Sequence, residues 1–440
     1  MTIEKNGLNE FRSNDTHQYN KENKYLFFLA NAIFVTYFFF IFYGTTVPFR
    51  EKIENAEDIG TSNIVNQIVF GSLFILSVFT LLPKWRYVKS IIIKEKFFSL
   101  FLLWSGISIL WSAYPEVSLK RFIQYLTTFT VFYSALSYTI NSKSLIKYFK
   151  ILLSAYVVIS IVSVFTIPGA KDRFGIWQGL APSKNHLGIM CVISIIFFTN
   201  FLVEARLKWK PIYLALLLIT LVLFIGSNSF TSLLSIFIIL IIYLILQIDH
   251  IFKSLNIGRF ISFFIATSVL IFFSMTIIFF PDVLASIFGA GGRDLTLTGR
   301  TDLWAVMILY IKKHLLFGCG FQGFWVVNSQ QINDIYSTFT WLPLQAHNGY
   351  IDIINETGLI GFLLFLFLVV QYFRYLKKFK ANSFWTWFIT AALIINLTES
   401  TLIRPNISLG SIFIFSYLVL FSDRMKKQNS QEYNLFKNNE

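Results

Sequence analysis

The run HNGYIDIINETGLIGFLLFLFLVVQYFRYLKKFK, residues 347–380, decides the fold class. From Leu359 to Phe373 it has no charged side chain, and it closes on Arg374, Lys377, Lys378 and Lys380. An apolar run ending in a basic cluster reads as a membrane span that stops at the cytoplasmic side, where loops collect Lys and Arg. The pattern recurs along the whole chain. Of 440 residues, 55% are hydrophobic and only 14% charged, against about a quarter charged in soluble domains. Mean hydropathy is +0.63. About twelve segments satisfy the length criterion for a span: 25–43, 64–82, 97–113, 122–140, 145–167, 186–203, 211–225, 230–247, 260–280, 359–373, 384–397 and 407–421. The sequence therefore predicts an all-α polytopic membrane protein.

Placing the N-terminus inside puts five sets of basic residues in short cytoplasmic connections. These are Lys84, Arg86, Lys89, Lys94 and Lys96; Lys143, Lys147 and Lys150; Arg206, Lys208 and Lys210; Lys253 and Arg259; and the cluster after Phe373. The tails 1–24 and 423–440 fall on the same side. Most of the 37 Lys and Arg residues are then cytoplasmic, as the positive-inside rule requires. The net charge of +14 is thus a matter of topology, and nothing else supports nucleic-acid binding. Cys191 and Cys319 are far apart and suggest neither a disulfide nor a zinc site. The polar N-terminus is unlike a cleavable signal peptide, so the first apolar run reads as a retained signal-anchor.

Nine spans occupy 25–280 and three occupy 359–422, which leaves 281–358 as one large external segment. Connections of that length usually carry function. Gly289, Gly291 and Gly292 open it, and TLTGRTDLWAVMILYIKKHLLFG follows at 296–318. Thr298 or Thr301 can cap a helix there, with Asp302 in its first turn. Trp304, Ile308, Ile311 and Leu315 share one face, Lys312 and Lys313 favour the C-terminal end, and Gly318 can stop it. The segment reads as an amphipathic helix at the membrane surface. Arg300 stands at its start, where a guanidinium and a helix N-terminus can both address phosphate oxygens. GCGFQGFW brings the chain back but lacks the Gly-Lys-Ser/Thr of a phosphate-binding loop. His347 then stands at the water–membrane boundary, and Asn348, Asp352 and Glu356 share a helix face behind it. A shorter external connection, 168–185, carries Lys171, Arg173 and Lys184. Basic residues on the external side run against the topological bias, and anion binding is the simplest reason for them.

Several stretches together resemble the superfamily of O-antigen ligases and O-antigen polymerases. The most specific are GRTDLW, HLLFGCGFQGF and HNGYIDIINETGLIGF, in that order within 299–362. LWSAYPEVSLKR at 110–121 and RFGIWQGLAPSKNHLG at 173–188 support them, the latter ending in the Lys-Asn-x-Leu-Gly of exopolysaccharide-polymerase relatives. SNSFTSLL at 227–234 is a weaker match. The resemblance implies a GT-C-like fold at the outer face of a bacterial inner membrane. It implies a donor glycan on undecaprenyl diphosphate and an acceptor that is another lipid-linked glycan (polymerase) or lipid A-core (ligase). Inversion at the anomeric carbon is expected, with no metal and no cofactor. By position in the motifs, Arg300 and His347 are the expected catalytic residues, and Arg173, Lys184, Asn185 and Asn348 are expected to bind substrate. Leu315 replaces a frequent Pro, and Ser-Asn-Ser-Phe-Thr lacks the cation that many members carry, so no phosphate contact is assigned there.

Two other readings compete. The acidic residues Glu51, Glu54, Glu57 and Asp58 offer a divalent-cation site for a metal-dependent GT-C enzyme, although a solvated loop explains them as well. A flippase or transporter of lipid-linked sugars would show repeated halves and mid-span charges. The sequence shows no repeat, few mid-span charges and one dominant external segment.

Overall fold

Backbone N–H and C=O groups in hydrocarbon have no water to bond, so a spanning segment must satisfy them internally. The computed structural model describes residues 22–44, 64–139, 142–252, 299–339, 343–379, 383–404 and 407–438, and apart from one isolated bridge between Lys171 and Trp177 its regular elements are helical. The expected span at 260–280, the glycines of 289–292 and the acidic residues of 51–58 lie outside these residues.

The helices are α1 (Glu22–Phe39), α2 (Ile64–Leu81), α3 (Trp85–Lys94), α4 (Lys96–Ile107), α5 (Pro115–Tyr138), α6 (Lys143–Thr166) and α7 (Lys184–Glu204). After them come α8 (Lys210–Ser227), α9 (Phe230–Phe252), α10 (Arg300–Lys313), α11 (Gln330–Thr338), α12 (Gly349–Phe379), α13 (Ser383–Ile395) and α14 (Ser408–Asn438). Among the described residues, seven helical stretches are long and apolar enough to cross a membrane, and shorter apolar helices accompany them at Lys96–Trp111, Phe230–Leu244 and Phe384–Ile395. The chain is an all-α polytopic membrane protein, and every expected span within the described residues coincides with a helix. The basic connection after α2 is itself helical: α3 buries Val88 and Ile91.

Helix α5 packs against α1, α2, α4 and α14, and α7 against α8, α9 and α13. Between spanning helices the drive is close packing and hydrogen bonding, because lipid is as apolar as the side chains. Phe38 of α1 sits 5.4 Å from Phe132, 5.3 Å from Phe149 and 5.5 Å from Phe415, tying α5, α6 and α14 together. The Tyr37 hydroxyl bonds Thr128 at 2.8 Å and Ser411 at 2.9 Å, crossing the same three-helix junction.

The decisive local feature lies inside α12. Gly358 has φ 68° and ψ −175°, which breaks the helix into two pieces. The break frees backbone groups, and the GCG turn takes them up. Cys319 N–H donates to Asn355 O at 2.9 Å and Gly320 N–H to Glu356 O at 3.0 Å. In return Leu359 N–H donates to Leu315 O at 2.8 Å. The Trp104 indole of α4 donates to Thr357 O at 2.8 Å. Irregular backbone at this depth is tolerated because protein groups pair with it. Gly318 (φ 72°) and Gly320 (φ 104°) adopt left-handed conformations that a side chain disfavours.

Two expectations for the Arg300 helix are corrected. Gly299 is its N-cap, with φ 77° and no side-chain cap, so Thr301 does not cap it, and Thr298 lies outside the described residues. Toward the protein the helix buries Arg300, Leu303 and Met307, while Ile308 and Leu315 of the expected apolar face stay exposed. The reason is a small second core of Phe324, Trp325, Ile332, Ile335 and Ala346, which receives Leu303 and Met307. The helix stops at Lys313, before Gly318, and Gly318 serves the turn instead.

A Cβ added at Gly358 would meet Leu316 O at 2.2 Å. Gly358→Ala should therefore cost at least about 2 kcal/mol of stability, read as a lowered melting temperature in detergent. Gly71→Ala in α2, where a Cβ meets nothing within 4 Å, should be neutral or slightly stabilising.

Candidate active site

The site forms around a carboxylate that the sequence reading did not single out. Glu399 lies in the connection between α13 and α14, and only 2% of its side chain is exposed. A buried carboxylate is costly unless it is paired and fully hydrogen-bonded. Its Oε1 accepts from Arg300 Nη2 at 2.9 Å and from Asn185 Nδ2 at 2.9 Å. Its Oε2 accepts from Gln345 Nε2 at 3.1 Å and pairs with His347 Nδ1 at 3.1 Å. Burial alone would raise the Glu399 pKa. The hydrogen bond and charge of His347, then the charges of Arg300 and His186, outweigh that and hold it at about 2.

Helix starts deliver these side chains. Asn185 is in the first turn of α7, Arg300 begins α10, and His347 stands two residues before α12. Ser229, just before α9, donates to Asn185 Oδ1 at 3.2 Å. Four helix N-termini thus converge on one place, and each contributes partial positive charge to an anion bound there. Local sequence explains the fit. Gly188 lets α7 approach α9, since a Cβ there would meet Ser232 Oγ at 2.4 Å. Gly349 lets α12 approach the end of α13, where a Cβ would meet Asn396 Oδ1 at 2.1 Å.

His347 has φ 50°, unusual for a residue with a side chain. Both neighbours of the His347–Glu399 pair are tied to a second carboxylate. Asp352 accepts from Ala346 N–H at 3.2 Å, and from the Ser400 hydroxyl. It also accepts from Trp325 Nε1 at 2.8 Å and pairs with Arg404 at 2.9 Å. Arg404 reaches Glu356 at 3.0 Å. The polar stripe expected on α12 therefore exists at Asp352 and Glu356, but it is spent on Arg404. From α5, Arg121 donates to Gln322 O at 2.6 Å and Trp325 O at 3.0 Å, holding the return turn.

Three of the six expected site residues, Arg300, His347 and Asn185, meet on Glu399. Arg300 is more enclosed than expected: it is 7% exposed and also donates to Thr398 O at 2.5 Å. Asn348 accepts from Tyr350 N–H at 3.0 Å and Ile351 N–H at 3.2 Å, so its carbonyl caps α12. Lys184 begins α7 beside Asn185. Arg173 is exposed, against the Phe174 ring at 4.8 Å, on a small loop closed by the Lys171–Trp177 bridge. Among the described residues no hydrogen bond or ion pair joins it to Glu399. Glu399, Gln345, Asp352 as a support and Arg404 were missed. A signal existed in LTESTLIRPN at 397–406, where two opposite charges sit in a short connection between apolar spans. Among the described residues no three His, Cys, Asp or Glu side chains are arranged to hold a metal ion.

A family model described as O-antigen ligase matches residues 214–366. The exopolysaccharide production protein ExoQ of Rhizobium meliloti is 29% identical over 291 residues, 64% of this chain and 66% of its own length. A Rickettsia felis protein provisionally named a polysaccharide ligase is 34% identical over 90 residues, 19% of this chain and 22% of its own. An uncharacterized Haemophilus influenzae protein is 27% identical over 138 residues, 29% of this chain and 34% of its own. The chain thus spans just under two thirds of ExoQ and far less of the other two. Residues 214–366 resemble the O-antigen ligase family, and a longer part of the chain is similar to a protein named for exopolysaccharide production.

Because the folded Glu399 value of about 2 lies below its ordinary 4.5, its contribution to stability is present above about 4.5 and lost as pH falls towards 2. The difference corresponds to about 3 kcal/mol. Thermal unfolding in detergent should show that acid-side loss for the parent protein. Glu399→Gln should be less stable at pH 7 and lack the step.

Proposed function

We propose that the protein is a membrane glycosyltransferase that moves a glycan from undecaprenyl diphosphate to an acceptor hydroxyl. The acceptor we favour is a second carrier-linked glycan, which makes the protein a polymerase of O-antigen or exopolysaccharide type. The observation that carries this reading is the meeting of Arg300, His347 and Asn185 on buried Glu399, at four helix N-termini. The likeness to ExoQ and the Lys-Asn-x-Leu-Gly stretch support the polymerase assignment.

Glu399 can only accept hydrogen bonds, so the imidazole donates to it from Nδ1. In the neutral ring that puts the basic lone pair on Nε2. The acceptor hydroxyl attacks the anomeric carbon while its proton passes to His347 Nε2. The bond to the diphosphate breaks with its electron pair, and configuration inverts. Arg300 and Glu399 cancel each other's charge beforehand. When His347 takes the proton, the site gains a positive charge as the leaving group gains a negative one. A guanidinium has five donors, so Arg300 keeps some for phosphate oxygens beyond its bonds to Thr398 and Glu399. Arg173 and Lys184 add charge on the diphosphate side, and Asn348 lies beside the acceptor. This chemistry uses no metal.

In this reading the site faces outward from the inner membrane and both termini are cytoplasmic. A second reading, transfer to lipid A-core, is favoured by the ligase description of the matching family. Surface polysaccharide from a deletion strain separates the two on a gel. Loss of long chains with one repeat unit still attached means polymerase. Loss of all attached polymer, with carrier-linked polymer retained, means ligase. Binding of the lipid-linked glycan without turnover would instead point to a transporter.

His347→Ala and Arg300→Ala should each abolish chain growth, by at least about 100-fold in rate, while the protein still inserts at normal levels. Near-normal polysaccharide profiles for both would refute the site. Activity should also survive EDTA, and its loss, restored by a divalent cation, would favour the metal-dependent alternative.

A further inference from the structure

An apolar cavity lies away from Glu399 among the described residues. It is an apolar groove of about 720 Å³ between α2, α3, α4 and α5, lined by Leu82, Trp85, Ile93, Leu103, Leu126 and neighbouring residues. That volume is in the range that holds a drug-sized ligand, an acyl chain among them. Lys96 and Trp85 stand at one mouth, and Leu103 lies seven residues further along α4. At 1.5 Å per residue the groove runs about 10 Å along α4, most of one leaflet of a core about 30 Å thick.

The mouth is strongly basic. Lys96 lines it, Lys94 precedes Lys96 by two residues, and Arg86 and Lys89 lie on α3 between lining residues Trp85, Val88 and Ile92; all four are exposed, and none takes part in the ion pairs found among the described residues. The acid in their midst, Glu95, is turned inward. It is 1% exposed and accepts hydrogen bonds from the Tyr375 and Tyr417 phenols. That lock fixes the elbow between α3 and α4, so Lys94 and Lys96 flank it on the surface. Ser99 bridges the same elbow by donating to Ile92 O at 2.8 Å.

We propose that this groove binds an anionic phospholipid of the leaflet at the basic end, one acyl chain in the groove and its phosphate among Lys94, Lys96 and the cations of α3. Charge complementarity selects the headgroup, and the depth of the groove matches one chain. The glycan carrier is not the occupant, because its diphosphate belongs at the opposite end, with Arg300. This exclusion of the carrier rests on the reaction proposed above; the groove and its basic rim do not.

Native mass spectrometry of the purified full-length protein tests it, with dioleoyl phosphatidylglycerol and dioleoyl phosphatidylcholine offered in equal amounts. Phosphatidylglycerol should be retained preferentially. Lys94→Gln with Lys96→Gln should weaken its retention by about fivefold for each charge removed. Leu103→Trp, an exposed position that fills the groove, should weaken retention with every charge intact. Equal retention of the two lipids by the parent protein would overturn the proposal. So would unchanged phosphatidylglycerol binding in Leu103→Trp, which would mean a headgroup held at the rim alone. Displacement of phosphatidylglycerol by an equimolar polyprenyl phosphate would assign the groove to the carrier and overturn it as well.

Discussion

One buried negative charge governs the arrangement of the site. Glu399 can ionise at the edge of the hydrocarbon only because four side chains donate to it and because helix starts surround it. The donors come from three separate parts of the chain, Asn185, Arg300 and the segment of Gln345 and His347, so satisfying the carboxylate fixes the relative positions of α7, α10, α12 and the α13–α14 connection. Breaking a buried pair by removing one partner is far more costly than the net worth of the pair. The same constraint that orders the site therefore ties distant helices into one geometry.

The second constraint is the broken helix. Gly358 interrupts α12 where an unbroken helix would have no reason to touch the GCG turn. The freed carbonyls of Asn355 and Glu356 and the N–H of Leu359 then pair with the turn. This explains why two glycine-bearing stretches, 318–320 and 358–361, occur together: the turn supplies N–H donors to Asn355 and Glu356, and Leu315 and Leu316 supply acceptors to Leu359 and Ile360. Arg121 and Trp104 pin the assembly from α5 and α4. The return turn is thereby rigid, and it carries Trp325 and Gln322 against Asp352 and Glu356.

The spans were legible because the bilayer imposes a length and an apolarity that any window of sequence reveals. Arg300, His347 and Asn185 were legible through motif position. Glu399 was not, because its bonds cross separations of 99, 52 and 214 residues, and no local periodicity records them. The inward face of α10 was not legible for a related reason. Its apolar residues lie all around the helix, and only the small core of Phe324, Trp325 and Ile332 decides that Leu303 and Met307 turn inward. Asp352 and Glu356 were read correctly as one stripe, but their partner, Arg404, lies beyond another span.

The spread of the Glu399 donors along the chain has a consequence for biosynthesis. A polytopic chain enters the membrane from its N-terminal end, and Asn185, Arg300 and His347 are all in place before residue 399 leaves the ribosome. Until α13 has inserted and Glu399 has docked, the histidine lacks the partner that sets its tautomer and the arginine lacks its counter-charge. A truncated or half-inserted chain therefore lacks a complete cluster around Glu399, and the proposed reaction would have to wait until the last connection is in place.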